Sequence, residues 1–255
     1  MTLIKNEIPI LEYDDNQMAV IMPNHANLKL ELPEKCVFAF LEDEIDKFAE
    51  KNRACKVSEF ISCTKIYPIY VVKYEGEEIC LVQAPMGSAS SGQILDWLIS
   101  YGVKKIISSG TCGVLIDLDE NKFIVPIKAL RDEGTSYHYI NPSRYIEINK
   151  VALKAIEKTL IEHGLEYVEV LTWTTDGFYR ETPEKVAYRK EEGCAVVEME
   201  CSALAAVAQF RNVIWGQILF TADSLADIEK YDARNFGEDS YEYALKLCFD
   251  VLKKL

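Results

Sequence analysis

The stretch that decides the fold reads VVEMECSAL over residues 196–204, and FTADSL follows it at residues 220–225. In both stretches an apolar run typical of a buried strand leads into carboxylates. These are Glu198 and Glu200 in the first stretch and Asp223 in the second. Ligands of α/β sheets bind at the carboxyl ends of strands. We therefore expect the three carboxylates to line one ligand site.

The bulk composition indicates one large domain and argues against two classes of partner. The chain has 255 residues, of which 49% are hydrophobic, so residues 1–255 can share one core as a single domain. A net charge of −13 disfavours nucleic acid or an anionic membrane as a partner. No apolar run reaches membrane-spanning length, and the first residues lack the apolar core of a signal peptide. We therefore expect a cytoplasmic protein.

The eight cysteines have no spacing typical of a metal site. The chain contains no C-x-x-C motif, and no histidine lies at metal-ligand spacing from a cysteine. Most of the cysteines lie within apolar runs, which favours reduced and buried thiols over a disulfide framework or a zinc site.

Strand and helix patterns alternate along the chain. Apolar runs predict strands at residues 18–22, 37–40, 68–74, 78–84, 104–109, 122–130, 169–173, 195–199 and 213–220. Helical spacing of apolar residues predicts helices at 42–51, 90–101, 149–163, 183–192, 201–210 and 240–252. We expect a loop at residues 110–113. Alternation of this kind predicts a three-layer α/β/α domain with a central mixed sheet.

The three carboxylates suit the cleavage of an N-glycosidic bond. Its transition state resembles an oxocarbenium ion, so the site must hold the ribose while the departing base takes up a proton. In an extended strand Glu198 and Glu200 point to the same face, where they can accept bonds from ribose hydroxyls. Asp223 can supply the proton. The alternatives are structural: the glutamates stabilise a helix N-terminus, and Asp223 caps a helix or a turn.

These motifs resemble the purine and uridine phosphorylase family of nucleoside phosphorylases, and the resemblance runs through most of the chain. It implies a phosphorylase-like α/β/α fold and a homo-oligomer, a dimer or a hexamer, whose subunits share active sites. It further implies that Glu200 binds the ribose hydroxyls with help from Glu198, that Met199 packs on the sugar, and that Asp223 protonates the base. His138 is a candidate contact to the 5′ end of the sugar, with an ordinary surface histidine as the alternative.

The resemblance also indicates the class of base. Phe178 is expected to stack on the base, with a core phenylalanine as the alternative, and Arg180, Cys112 and Gly113 are further candidate base contacts. Uridine-specific members carry a Gln-x-Arg pair after a Phe-Tyr, whereas here the letters RET follow it. Those members also lack the aspartate that matches Asp223. Both differences favour a purine.

The expected phosphate site departs from the family pattern. Residues 107–113 are similar to a loop whose backbone amides and threonine hydroxyl, matching Thr111, hold phosphate. Three arginines of the family become Ser108, His25 and, reaching from a neighbouring subunit, Lys65. None of these replaces the bidentate fork of arginine. The remaining candidates for phosphate contact are Gly110 and Gly87.

The resemblance predicts reversible phosphorolysis of a purine ribonucleoside to free base and ribose 1-phosphate. Inorganic phosphate is the co-substrate, and no metal or organic cofactor is implied. The altered phosphate residues leave two alternatives open. In one, water replaces phosphate and the protein is a nucleosidase. In the other, it is a non-catalytic homologue that binds a nucleoside, although the retained Asp223 argues against a pure binding protein.

Overall fold

The computed structural model describes residues 3–255, where ten strands form one sheet and alternate with six α-helices. The strands are β1 (Lys35–Ala39), β2 (Cys55–Ile61), β3 (Ile66–Tyr74), β4 (Glu77–Gln83), β5 (Lys105–Val114), β6 (Phe123–Asp132), β7 (Tyr145–Glu147), β8 (Tyr167–Thr175), β9 (Cys194–Glu198) and β10 (Ile214–Ser224). The helices are α1 (Glu44–Lys51), α2 (Ser88–Ser100), α3 (Lys150–Glu162), α4 (Pro183–Glu191), α5 (Cys201–Phe210) and α6 (Tyr241–Leu252).

The sheet is mixed, and five of its strands close into a ring. The pairs run from β10 through β6, β8 and β9 to β5, which pairs again with β10. From β5 the sheet continues through β1, β4 and β3 to the edge strand β2, while β7 pairs with β6. Strand β9 is parallel to β8 and antiparallel to β5. The α/β class with a central mixed sheet is therefore confirmed.

Local sequence accounts for several element boundaries. The side chain of Asn149 accepts hydrogen bonds from the first amides of α3, and Thr182 caps α4, whose first residue is Pro183. The β3–β4 hairpin turns at Glu75 and Gly76, both with positive φ, as a tight hairpin turn requires. Capping and turn residues therefore fix these boundaries without help from distant segments.

Helix α5 is buried over most of its length and brings its N-terminus into the interior. Its sequence consists largely of small residues, and all eight residues from Cys201 to Ala208 are buried. Small side chains let the helix pack closely between β10 and α2. Among residues 3–255, no helix is both long enough and apolar enough to cross a bilayer.

The secondary structure departs from the predictions at four places. Residues 18–22 form no strand, and Val20 is fully exposed, because this apolar run has no pairing partner. Strand β2 was not predicted, since its side chains are mostly exposed and its pattern is not that of a buried strand. Strand β7 was not predicted because it has only three residues. Residues 110–113 form the end of β5 instead of a loop, because β9 and β10 pair with them from both sides.

The cysteines are free thiols, six of them buried. Cys55 and Cys63 are exposed, which departs from the expectation of burial only at these two positions. Cys55 starts the exposed strand β2, and Cys63 lies in the turn that follows that strand.

Candidate active site

The candidate site forms where β5 lies between β9 and β10. Glu198 ends β9, and Asp223 is the penultimate residue of β10. Gly113 of β5 pairs with the residue before Glu198, and Cys112 pairs with the residue two positions before Asp223. The sequence suggested that the acids meet at the carboxyl ends of parallel strands. This is not the arrangement, because β9 is antiparallel to β5. Closure of the ring of strands brings them to the same end of β5.

The end of β5 is electrostatically coupled to both acids. Burial, and then the charges of Glu198 and Asp223, raise the pKa of the Cys112 thiol well above its usual value. A Cβ added to Gly113 would lie 3.2 Å from Asp223 Oδ1 and 3.1 Å from side-chain atoms of Leu225 and Val197. A glycine is therefore needed for Asp223 to approach β5 this closely. Cys112 and Gly113 lie beside the acids, and their contact with a base stays a prediction.

Glu198 organises the turn into α5. Its Oε1 accepts hydrogen bonds from Thr174 Oγ1 at 2.6 Å and Thr172 Oγ1 at 3.3 Å. Its Oε2 accepts bonds from the backbone amides of Glu200 at 2.7 Å and Cys201 at 2.6 Å. Burial raises the pKa of Glu198 to about 7, against the opposing effect of these bonds. The carboxylate thus holds the first amides of α5 and fixes the main chain that carries the next two residues.

Glu200 lies against the N-terminus of α2. Its Oε1 accepts a hydrogen bond from the backbone amide of Gly87 at 2.5 Å, and Ser88 Oγ donates to the carbonyl of Met199 at 2.6 Å. Gly87 has φ +95°, a conformation that favours glycine. Burial, and then the charge of Glu198, raise the pKa of Glu200 to about 8. The site therefore holds two adjacent buried carboxyl groups. Hydroxyl donors of a ligand can stabilise the charged form of Glu200, whereas both oxygens of Glu198 already accept hydrogen bonds from the protein.

Asp223 belongs to a second acidic group, on the β10 side of the site. Burial raises its pKa, while a hydrogen bond from Tyr231 and the charge of Arg234 lower it. Burial, and then the charge of Asp223, raise the pKa of Glu181 to about 7. Glu181 and Tyr231 were not predicted as site residues. The position of Glu181, two residues after a Phe-Tyr pair, could have indicated it, whereas Tyr231 lies in a segment without a periodic pattern.

The segment after β8 borders the site with exposed groups. A 3₁₀ helix spans Phe178–Arg180, where Phe178 is 46% exposed and its ring packs edge-on against Tyr179. The alternative of a core phenylalanine is therefore wrong for Phe178. Arg180 is exposed as well. The charge of Asp176 contributes to the raised pKa of Glu200, which places this segment near the two glutamates.

The phosphate residues expected in β5 occupy other surroundings. Ser108 is fully buried, and its Oγ accepts a hydrogen bond from Trp215 Nε1 at 3.0 Å. Ser108 therefore lies in the core and offers no surface to an anion, which corrects that expectation. A Cβ on Gly110 would lie 3.0 Å from Cβ of Phe40, so this glycine admits a packed aromatic residue. Thr111 is half-buried and, among these residues, has the most accessible side chain.

The two histidines and the lysine lie elsewhere. His25 and His138 both line a cavity of about 1160 Å³ that also includes Ala89 of the first turn of α2. Lys65 lies between β2 and β3, where its ammonium donates to Gln83 Oε1 at 3.2 Å. The cavity adjoins the N-terminus of α2 that contacts Glu200. The roles of His25, His138 and Lys65 toward a sugar or a phosphate stay predictions.

Comparisons with known proteins show the family of this chain. The family model "Phosphorylase superfamily" matches residues 34–255. A guanosine phosphorylase from Halorubrum lacusprofundi is 25% identical over 218 residues, which cover 83% of this chain and 89% of that protein. A DeoD-type purine nucleoside phosphorylase from Caldanaerobacter subterraneus subsp. tengcongensis is 32% identical over 164 residues, which cover 63% of this chain and 70% of that protein.

A solved structure shows the same fold in a protein of different name. The crystal structure of an AMP nucleosidase from Bacteroides thetaiotaomicron has a TM-score of 0.71 and 23% identity, covering 87% of this chain and 88% of that one. This likeness shows a shared fold alone. With the family model matching from β1 to the last residue, this chain belongs to the phosphorylase superfamily.

Proposed function

We propose that this protein is a nucleoside phosphorylase that cleaves the N-glycosidic bond of a purine ribonucleoside with inorganic phosphate. The proposal rests on the acidic side chains that lie close together beside Cys112 and Gly113. There a buried pair of glutamates and a separate buried aspartate flank one strand end. Cleavage of this bond by the superfamily needs a ribose acceptor and a proton donor, and the two acidic groups meet those needs separately.

Glu200 is the ribose ligand in this proposal. It is buried, its pKa is raised, and it is held in place by Gly87 and by the turn that Glu198 anchors. Hydroxyl groups of the ribose donate to the carboxylate and replace the water that burial has removed. Met199, half-buried between the two glutamates, packs against the sugar.

Asp223 is the proton donor. A carboxyl group with a raised pKa retains its proton at a higher pH and can give it to N7 of a departing purine. Phe178 offers an exposed ring for stacking on the base. Glu181 provides an acceptor for N–H groups, which occur on the edge of purines. The Gln-x-Arg pair expected for uracil is absent from the sequence.

Inorganic phosphate is the acceptor of the ribosyl group in this proposal. With Ser108 in the core, Thr111 and the amides of Gly110 and Gly87 remain within one chain, and the Gly87 amide bonds Glu200. In a homo-oligomer, Lys65 of a neighbouring copy would add a cation to this site, and His25 is the remaining candidate ligand. The buried position of Ser108 also favours a second candidate function, hydrolysis of the same bond by water, because it removes one expected phosphate ligand.

The experiment is release of free base from inosine, guanosine, adenosine and uridine, each with and without inorganic phosphate. We expect release from purine nucleosides that depends on phosphate and yields ribose 1-phosphate. Equal release without phosphate would establish the nucleosidase instead. Binding of nucleosides without release under either condition would establish a non-catalytic homologue. No purified metal or organic cofactor is added in any arm.

A further inference from the structure

A second cavity, of about 440 Å³, lies at the carboxyl end of β6 and shares no lining residue with the candidate active site. Three guanidinium groups line it, those of Arg131, Arg144 and Arg189, and we call it the arginine cavity. Among the described residues that line it, Asp132 provides the one carboxylate. A concentration of arginines is unexpected in a chain of net charge −13. The hydrogen-bond partners of each guanidinium show that carboxylates compensate these charges only in part.

Arg131 is a buried cation with neutral partners. It is 4% exposed, and it donates to Ser136 Oγ, to the carbonyl of Asn141 and to Ser143 Oγ at 2.7–2.8 Å. Its guanidinium carbon lies 4.2 Å from the ring centroid of Tyr137. Within residues 3–255 no carboxylate bonds this group, and burial lowers its pKa. Its charge is therefore only partly compensated.

Arg189 leaves one buried nitrogen atom without an acceptor, whereas Arg144 is partly exposed and bonds Glu192 and the hydroxyl of Tyr188. Arg189 is 8% exposed, and its Nη1 and Nη2 bond Glu192 at 2.7 Å and Asp132 at 3.2 Å. Its Nε is buried without a partner among the described residues. Arg144 bonds Glu192 through Nε, and its side chain is 48% exposed. The amide of Arg131 donates to the carbonyl of Arg144 at 3.0 Å, so these two arginines are direct neighbours.

The charges of the cluster do not balance. Besides the three arginines, Lys185 contacts Asp132 at 3.3 Å. The carboxylates are Asp132, Glu192 and Glu133, the last of which acts on Arg131 through its charge. Four cations therefore face three carboxylates, and a buried guanidinium is stabilised by a bidentate anion more than by neutral oxygens. We propose that the arginine cavity binds a tetrahedral oxyanion, either free phosphate or the phosphate group of a small ester.

The test measures sulfate binding to the full-length protein by titration calorimetry and by the rise in Tm. Arg144→Gln is the variant, because this side chain is half exposed and its loss leaves the core intact. Lys158→Gln is the matched control, since Lys158 is an exposed cation on α3 and its change removes the same charge. We expect sulfate to bind at least about tenfold more weakly to Arg144→Gln than to the control.

Equal sulfate affinity in wild type, Arg144→Gln and Lys158→Gln would overturn the proposal. Competition then distinguishes the two sources of the anion. If ribose 5-phosphate displaces sulfate at a concentration about tenfold lower than inorganic phosphate requires, the cavity is assigned to phosphate esters. If inorganic phosphate displaces sulfate at the lower concentration, the cavity is assigned to the free anion. Phosphate-dependent release of base is measured on the same variants. This activity should not change in Arg144→Gln, so failure of the cavity and failure of the proposed function remain separate.

Discussion

Replacing Glu200 by glutamine should stabilise the ligand-free protein and remove most of its activity. Glu200 is buried beside Glu198, and its pKa is about 8 instead of 4.5. The native state therefore binds more protons than the unfolded state between these two values. The free energy of unfolding must fall as the pH rises through this window. Glutamine has no charge to bury, and its Oε1 can still accept the amide of Gly87.

The size of the effect follows from the pKa shift. Each unit corresponds to about 1.4 kcal/mol, so ionisation of Glu200 destabilises the native state by up to about 5 kcal/mol above pH 8. Between pH 6 and pH 8 this penalty grows by about 2 kcal/mol. The loss of activity has another origin. A bond to a charged acceptor contributes about 1.5–3 kcal/mol, so two bonds to ribose hydroxyls amount to about 100-fold or more in kcat/KM.

The assay is urea unfolding at pH 6 and pH 8, with kcat/KM for a purine nucleoside measured on the same samples. Glu50→Gln on the exposed face of α1 is the control for loss of one negative charge. We expect Glu200→Gln to exceed wild type in stability by more at pH 8 than at pH 6. A variant that is no more stable than Glu50→Gln at pH 8 would refute the buried charge, and one with unchanged kcat/KM would refute the ribose contact.

Three further substitutions test other parts of the site. Asp223→Asn should lower kcat by about 100-fold or more with a smaller change in KM. The exposed control Asp117→Asn should retain full activity, and an equal change in kcat and in KM for Asp223→Asn would contradict its role as proton donor. Glu181→Gln should remove an ionisation near pH 7 from the pH profile of kcat/KM, and an unaltered profile would contradict its place beside Asp223. Ser108→Arg should lower the free energy of unfolding by about 3 kcal/mol or more, because it buries a charge at the Trp215 contact. A stable variant that binds phosphate more tightly would contradict the core position of Ser108.

Local patterns were sufficient for most of the elements and for the location of the acids. Helix α5 has the bounds that its small apolar residues predicted, and α3 and α4 begin at capping residues visible in the sequence. The two glutamates and Asp223 could be recognised because each ends an apolar run. Such signals depend on neighbours within a few residues along the chain, so they can be interpreted without the fold.

Local sequence patterns could not predict which distant strands pair. The letters GTCG at 110–113 are typical of a loop, yet β9 and β10 hold them as the end of a strand. Ser108 looked available to an anion, and only the position of Trp215 shows that it is buried. In both cases the deciding partner lies about 80 to 110 residues away along the chain, and no local pattern specifies it.

The sequence by itself determined most of the strands and helices, the acids that follow apolar runs, and the motifs of the superfamily. Only the tertiary structure decided that the ring of strands closes and that the charge of Asp223 acts on Glu181. It also decided that Glu198 accepts the first amide of α5 while Glu200 accepts the amide of Gly87 before α2. The physical reason is that a carboxyl group's pKa and its partners depend on burial and on nearby charges. Both come from segments that are remote in sequence and adjacent in space.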